Sequence, residues 1–307
     1  MIAMQLPALE RLRAAVMADP AIQQRLGEAF DAAEFNRIAI TWAADRGIAL
    51  TPGDLGDAQR PDPLGIRMLG AAPHSGAAWP PRAWLPLRVA LEGPDVDWCH
   101  FAGEPLTDPF YADTARRIRS RPFNRLFRYR TPLDAFIAAP REDVLAPDGF
   151  VFHMSRCGST LVAQMLAAVA AHIVASEAEP LDTIVQLPLF HPGLAPERHV
   201  AALQAMVAAL GRNRSGDARR YFVKLDSWHA LALPLFRRAF PDTPWIFLYR
   251  DPVEVLVSQM RMRGSQTAPG VLPPHLFGFA PGEEGLPDAD YVARVLARTC
   301  EAVIACW

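Results

Sequence analysis

The chain has 307 residues, 51% of them hydrophobic and 21% charged, with a formal net charge of −2. That length supports one large or two medium domains with a sizeable core, and that charge excludes a general affinity for nucleic acid or anionic membrane, so any basic site has to be local. The opening residues lack a signal peptide's basic start and apolar run, and no apolar stretch reaches membrane-spanning length. Four cysteines without C-x-x-C spacing (Cys99, Cys157, Cys300, Cys306) point away from zinc and from a disulfide scaffold, and suit the cytoplasm.

In chain order, residues 1–60 read as a small helical domain. Leu9, Leu12, Val16 and Met17 fall at helical spacing. Asp19-Pro20 starts a second helix through Ile22, Leu26 and Phe30, and Ala32–Asp45 a third, ended near Gly47. Residues 5–55 resemble the short helical domain first described near nitrogen-fixation genes and later found as a leader of ribosomally made peptides; a helical extension packed on the main domain fits them equally. Residues 61–146 form a proline-rich accessory region with long irregular connections. Trp84–Leu91 reads there as a strand. Thr114–Arg130 carries seven arginines, read either as a solvated basic helix broken by Pro122 or as a basic rim for an anionic ligand.

From residue 147 to 307 the pattern becomes α/β. Phe150–Met154 is a short apolar run that suits a central strand buried on both faces. The spacing then predicts a buried helix over Ser159–His172, a strand at Ile173–Ser176 and an amphipathic helix over Ala195–Leu210. Tyr221–Leu225 is a third strand, Leu231–Ala239 a helix and Trp245–Tyr249 a fourth strand. Asp251 is an N-cap, Pro252 suits the first helical position and Glu254 completes a capping-box-like start for a helix over 252–263. Residues 264–287 are a Gly/Pro-rich loop, and Asp290–Trp307 a last helix. Alternating strands and helices imply a parallel sheet with flanking helices, which would bind ligands beyond the carboxyl ends of its strands.

Two strand-to-helix junctions carry the chemistry. The first, Ser155-Arg156-Cys157-Gly158-Ser159-Thr160, would stack backbone N–H groups at a helix N-terminus and so make an anion site. It is not a Walker A loop: His153 stands where the first Gly belongs and Ser159 where the Lys belongs, which disfavours an ordinary triphosphatase or kinase. Nor is it a tyrosine-phosphatase loop, because Ala163 stands where the Arg would be, so Cys157 reads as a small residue in a tight turn. The second junction is Arg250-Asp251-Pro252, with Ser258 about two helical turns beyond the arginine.

Together the junctions resemble the two signatures of sulfotransferases that use 3′-phosphoadenosine 5′-phosphosulfate. The resemblance covers about residues 148–263 and implies a three-layer, P-loop-nucleotide-hydrolase-like fold. It further implies that Ser155, Arg156, Cys157, Gly158, Ser159 and Thr160 wrap the 5′-phosphosulfate, and that Arg250 and Ser258 hold the 3′-phosphate. Glu177 stands where the family's tyrosylprotein branch carries its base, with Glu179 as second choice; a helix cap is the plain alternative for both. Lys224 resembles the lysine facing the transferring group, although the proline of that family segment is missing; a salt bridge to Asp226 or Glu177 is the plain reading. His229 is an alternative base or a structural histidine. No metal is expected. The acceptor would be a small molecule, lipid, glycan or peptide bearing a hydroxyl or amine. Competing readings are a small-molecule kinase and a catalytically inactive nucleotide-binding or regulatory protein. Family members continue past the fourth strand, so a truncated or degenerate member, or one completed from elsewhere, is a further expectation.

Overall fold

The computed structural model describes residues 7–60, 74–280 and 285–307. The chain forms two compact units, one of Met1–Pro105, Asp113–Asp143 and Arg214–Gly216, the other of Leu106–Ala112, Val144–Asn213 and Asp217–Trp307.

The first unit opens with α1 (Ala8–Met17), α2 (Pro20–Glu28), α3 (Ala32–Ala44) and α4 (Pro52–Gln59). Asp19 and Asp31 cap α2 and α3 through their carboxylates, and Thr51 with Asp54 forms a reciprocal capping box for α4, a helix the sequence reading passed over. Leu12, Val16, Leu26 and Phe35 face inward, completely buried. After β1 (His74–Ser75), β2 (Trp84–Val89) and β3 (Asp95–His100) come α5 (Tyr111–Arg119), α6 (Pro122–Leu126), β4 (Tyr129–Pro132) and α7 (Leu133–Ala138). The strands make a sheet in the order β1-β4-β3-β2, antiparallel except for β1 on β4. The region expected to be mainly irregular therefore holds a sheet, of which only β2 was anticipated.

Pro122 does break the arginine-rich segment, and five of its seven arginines have identified partners. Arg117 and Arg121 pair with Glu104, Arg130 with Asp97, Arg116 with Asp113, and Arg125 donates to the Gln59 carbonyl. Burial would raise the Asp97 and Glu104 carboxyls, yet their arginine partners outweigh it and hold both below the ordinary range. Three carboxylates thus engage four of the seven arginines, and the segment keeps a net positive charge.

The second unit is the α/β body: β5 (Gly149–His153), α8 (Ser159–Ala167), β6 (His172–Ser176), α9 (Glu179–Phe190), α10 (Pro196–Leu210), β7 (Arg220–Lys224), α11 (Leu233–Ala239), β8 (Trp245–Leu248), α12 (Pro252–Arg261) and α13 (Asp288–Ile304). Its four strands run parallel in the order β6-β7-β5-β8, flanked by helices. β5 sits between β7 and β8, with Phe150, Val151 and Phe152 buried. The order places both junctions at the carboxyl ends of adjacent strands, since His153 registers with Leu248. Met154, Val255, Val292 and Leu296 form a packed cluster that joins the end of β5 to α12 and α13.

One expectation fails here. α8 is not buried all round: Leu161 and Met165 are each 66% exposed, and only Ser159 and Ala163 are buried. The helix sets its small face against β6 and β7 and turns its large apolar residues outward, which a period count cannot foresee when alanine dominates. It also ends at Ala167, so that His172 starts β6.

Candidate active site

Beyond the ends of β5, β6 and β7 lies a cleft of about 520 Å³, lined on one wall by Ser155, Arg156, Gly158, Ser159 and Thr160 and on the other by Glu177, Asp226, Ser227 and Trp228. The first wall is the β5–α8 turn. Ser155 (φ 69°), Arg156 (φ 51°) and Gly158 (φ 90°) all adopt left-handed backbone. Only Gly158 does so without steric cost. Consecutive residues of this kind curl the chain into an amide-lined concavity at the head of α8.

Side chains fix that curl. His153 accepts the Ser155 N–H at Nδ1 (3.0 Å) and lies 2.9 Å through Nε2 from the Leu225 carbonyl. Gln259, fully buried on α12, donates to Ser155 Oγ (3.1 Å) and accepts from the Gly264 N–H (2.7 Å) and Thr267 Oγ1 (3.0 Å). Arg156 reaches over to the Met262 carbonyl at 2.6 Å. Cys157 leans on His153. Burial would raise its thiol, but the ring and the Ser159 and Met154 amides outweigh it, so the thiol sits below its ordinary value.

The second wall follows from strand register. Ser176 pairs with Lys224, so the residues just past β6 and β7 stand side by side. Glu177, in left-handed backbone (φ 47°), forms an ion pair with Lys224 and lies 3.3 Å from His153 Nε2. Lys224 is buried behind Glu177, with Nζ 5.3 Å from the Phe110 ring centroid. Burial pushes the Glu177 carboxyl up, but His153 and Lys224 together pull it below its usual range. His153 moves the other way: burial lowers it, while Cys157 and Glu177 outweigh that and raise it.

Asp226 has a different environment. Burial, helped by the nearby negative charges of Glu177 and Asp182, pushes its carboxyl up to about 7 against the opposing charges of His229 and Lys224. His229 is buried, 2.8 Å through Nε2 from Asp182 Oδ1, and accepts the Asp226 N–H at Nδ1 (3.3 Å). Asp182 also receives the Trp228 indole N–H at 2.7 Å. Asp182, Asp226 and His229 are the kinds of residue that hold a metal ion, but both ring nitrogens already have protein partners. The arrangement reads as a hydrogen-bond relay that steadies Trp228.

Arg250 and Ser258 line a second concavity, of about 400 Å³, together with Val253, Glu254, Val257 and Arg261. The Arg250 guanidinium is paired with Glu254. Its backbone N–H points to Met154 Sδ at 3.3 Å, which ties this junction to the end of β5.

Of the expected residues, the structure thus gathers Ser155, Arg156, Gly158, Ser159, Thr160 and Glu177 around one cleft, with Glu179 on its rim. Lys224 and Cys157 stand behind that wall, and Arg250 with Ser258 in a neighbouring hollow. His229 is buried in the relay and does not line the cleft. Gln259 and Asp182 were not singled out from sequence, while His153 was noted only as standing where a Walker glycine belongs and Asp226 only as a partner for Lys224; a polar residue ending each of two apolar strands was the one available signal.

An amide-lined strand-to-helix turn thus opens onto a cleft of ionisable groups at the carboxyl ends of a parallel sheet. Residues 147–272 match the family model of the sulfotransferase family. The match supports a sulfotransferase-family domain over this part of the chain, and sulfuryl transfer as its general chemistry. No curated protein and no solved structure matches the chain.

Proposed function

We propose that the chain transfers a sulfuryl group from 3′-phosphoadenosine 5′-phosphosulfate to a hydroxyl or amine acceptor. The observation that carries this reading is the pair of hollows at adjacent strand ends, one lined by the amide turn and Arg156, the other by Arg250, Ser258 and Arg261. A donor with a phosphosulfate at one end and a phosphomonoester at the other presents two separated anions. Each hollow offers the donors that one of them needs.

In this reading the amides of residues 155–160 and the Arg156 guanidinium hold the 5′ end and stabilise charge on the transferring and leaving oxygens. Glu177, at the base of the cleft, takes the proton of the acceptor as its oxygen or nitrogen bonds to sulfur and the sulfur–phosphate oxygen bond breaks. Lys224 and His153 keep Glu177 ionised and oriented. Lys224, released from part of its ion pair as Glu177 is protonated, supports the negative charge passing to the leaving phosphate. The catalytic residues are therefore Glu177, Arg156 and Lys224. Fixed cations carry the electrostatic load, which is why no metal enters the scheme. Thermal unfolding with nucleotides tests the reading. Adenosine 3′,5′-bisphosphate should raise the midpoint and ATP with magnesium should not. A rise with ATP and magnesium alone would turn the assignment to a kinase. Retained bisphosphate binding with sulfuryl transfer intact in Glu177→Ala would remove Glu177 from its role.

A further inference from the structure

The hollow on α12 holds more than the arginine and serine that the sequence singled out. Arg250, Glu254, Ser258 and Arg261 recur at intervals of three or four residues and so share one face of a single helix and its entry. All four line the same hollow. Two features stand out. The Arg250 Nε and Nη2 atoms both engage one carboxylate oxygen of Glu254. Arg261, by contrast, has no carboxylate within ion-pair distance among the described residues, although it faces the same space.

A phosphomonoester carries close to two negative charges near neutral pH and three acceptor oxygens. One exposed guanidinium already committed to a glutamate cannot satisfy it. The Arg250–Glu254 pair is exposed on both sides, 54% and 56%, so it is a weak pair that another anion can displace. The Glu254 oxygen marks the place on Arg250 that a phosphate oxygen would take, since carboxylate and phosphate engage the same guanidinium edge.

Resting on the donor reading above, we infer that Arg261 is the second cation of the 3′-phosphate site and that Glu254 is a built-in competing anion, which the 3′-phosphate displaces from Arg250. Discrimination between 3′-phosphorylated and plain adenosine nucleotides then resides in this helix face. Arg261 supplies attraction that only the 3′-phosphate collects. Glu254 works against it, narrowing the margin between the two nucleotides, because only the 3′-phosphate has to displace it. Ser258 adds a neutral hydroxyl between the two guanidinium groups.

The test is titration calorimetry of the full chain at fixed ionic strength with two probes, adenosine 3′,5′-bisphosphate and adenosine 5′-monophosphate. Arg261→Ala should weaken the bisphosphate about tenfold and leave the monophosphate unchanged, the loss expected for one charge-assisted contact. Arg261→Lys should recover part of it. Glu254→Gln should tighten the bisphosphate severalfold, again without effect on the monophosphate. The opposite signs cannot both come from misfolding. Arg261→Ala with no effect, or with equal loss for both probes, overturns the inference while leaving the donor reading in place. Weaker bisphosphate binding in Glu254→Gln overturns the competitor role. A wild-type chain that binds no bisphosphate removes the donor reading, and this inference with it.

Discussion

Glu177 and Asp226 are two carboxylates just past neighbouring strands, yet their environments drive them apart. Glu177 is held ionised by Lys224 and His153, whereas Asp226 is buried with no lysine or arginine bound to it among the described residues. Its carboxyl, raised to about 7, favours the protonated form in the folded state. The stability this confers is complete below the unfolded value of about 4 and is lost as pH climbs toward the folded value. Asp226→Asn removes the titration while keeping the size. The variant should therefore gain stability relative to the wild type between about pH 4 and pH 7 and gain no more above that range. Thermal midpoints across that range would check it, and a difference that stays constant with pH would show that the Asp226 carboxyl is not shifted.

At the scale of elements, α12 organises the site from both ends. Its entry caps itself on Asp251, whose carboxylate accepts the Val253 and Glu254 amides. Near its exit, Gln259 ties the amide turn to the segment after the helix. Gln259→Leu keeps the volume but strands the Gly264 N–H and takes the donor from Ser155 Oγ, while Thr267 Oγ1 keeps its bond to the Gly264 carbonyl. The expected cost is about 1–3 kcal/mol, with faster proteolysis around residues 262–272. A wild-type cleavage rate there would show that Gln259 does not hold the segment. The elements themselves were legible where local chemistry is strong. Phe150–Phe152 is a short apolar run that suits a central strand, and Asp251-Pro252 announces a helix start. β3 was not legible, because Asp95 and Asp97 interrupt its pattern, and Asp97 owes its place to arginines on β2 and β4. The site was half legible for the same reason. Gly158 and Arg156 lie in one short motif, but His153 meets the Leu225 carbonyl and Gln259 meets Ser155 only after the chain has folded across long separations.

Over the whole molecule, the parallel sheet has one strand lightly covered. β8 pairs with β5 on one side, and Ile246 is 49% exposed; on the adjoining helix Val253 and Val257 are 67% and 47% exposed. An exposed apolar edge pairs readily with other chains, although Arg250, Glu254 and Arg261 flank the two valines on α12. The isolated chain should therefore self-associate as its concentration rises, and Ile246→Lys should reduce this in sedimentation or light scattering. Equal association in both proteins would place the contact elsewhere. The left-handed residues of the cleft bear on the molecule in a further way. Ser155, Arg156 and Glu177 each hold a conformation that glycine would adopt with less strain, at about 1 kcal/mol or more apiece. A laboratory selection for heat resistance alone would therefore drift toward glycine at these three positions and return sturdier chains with their working groups erased.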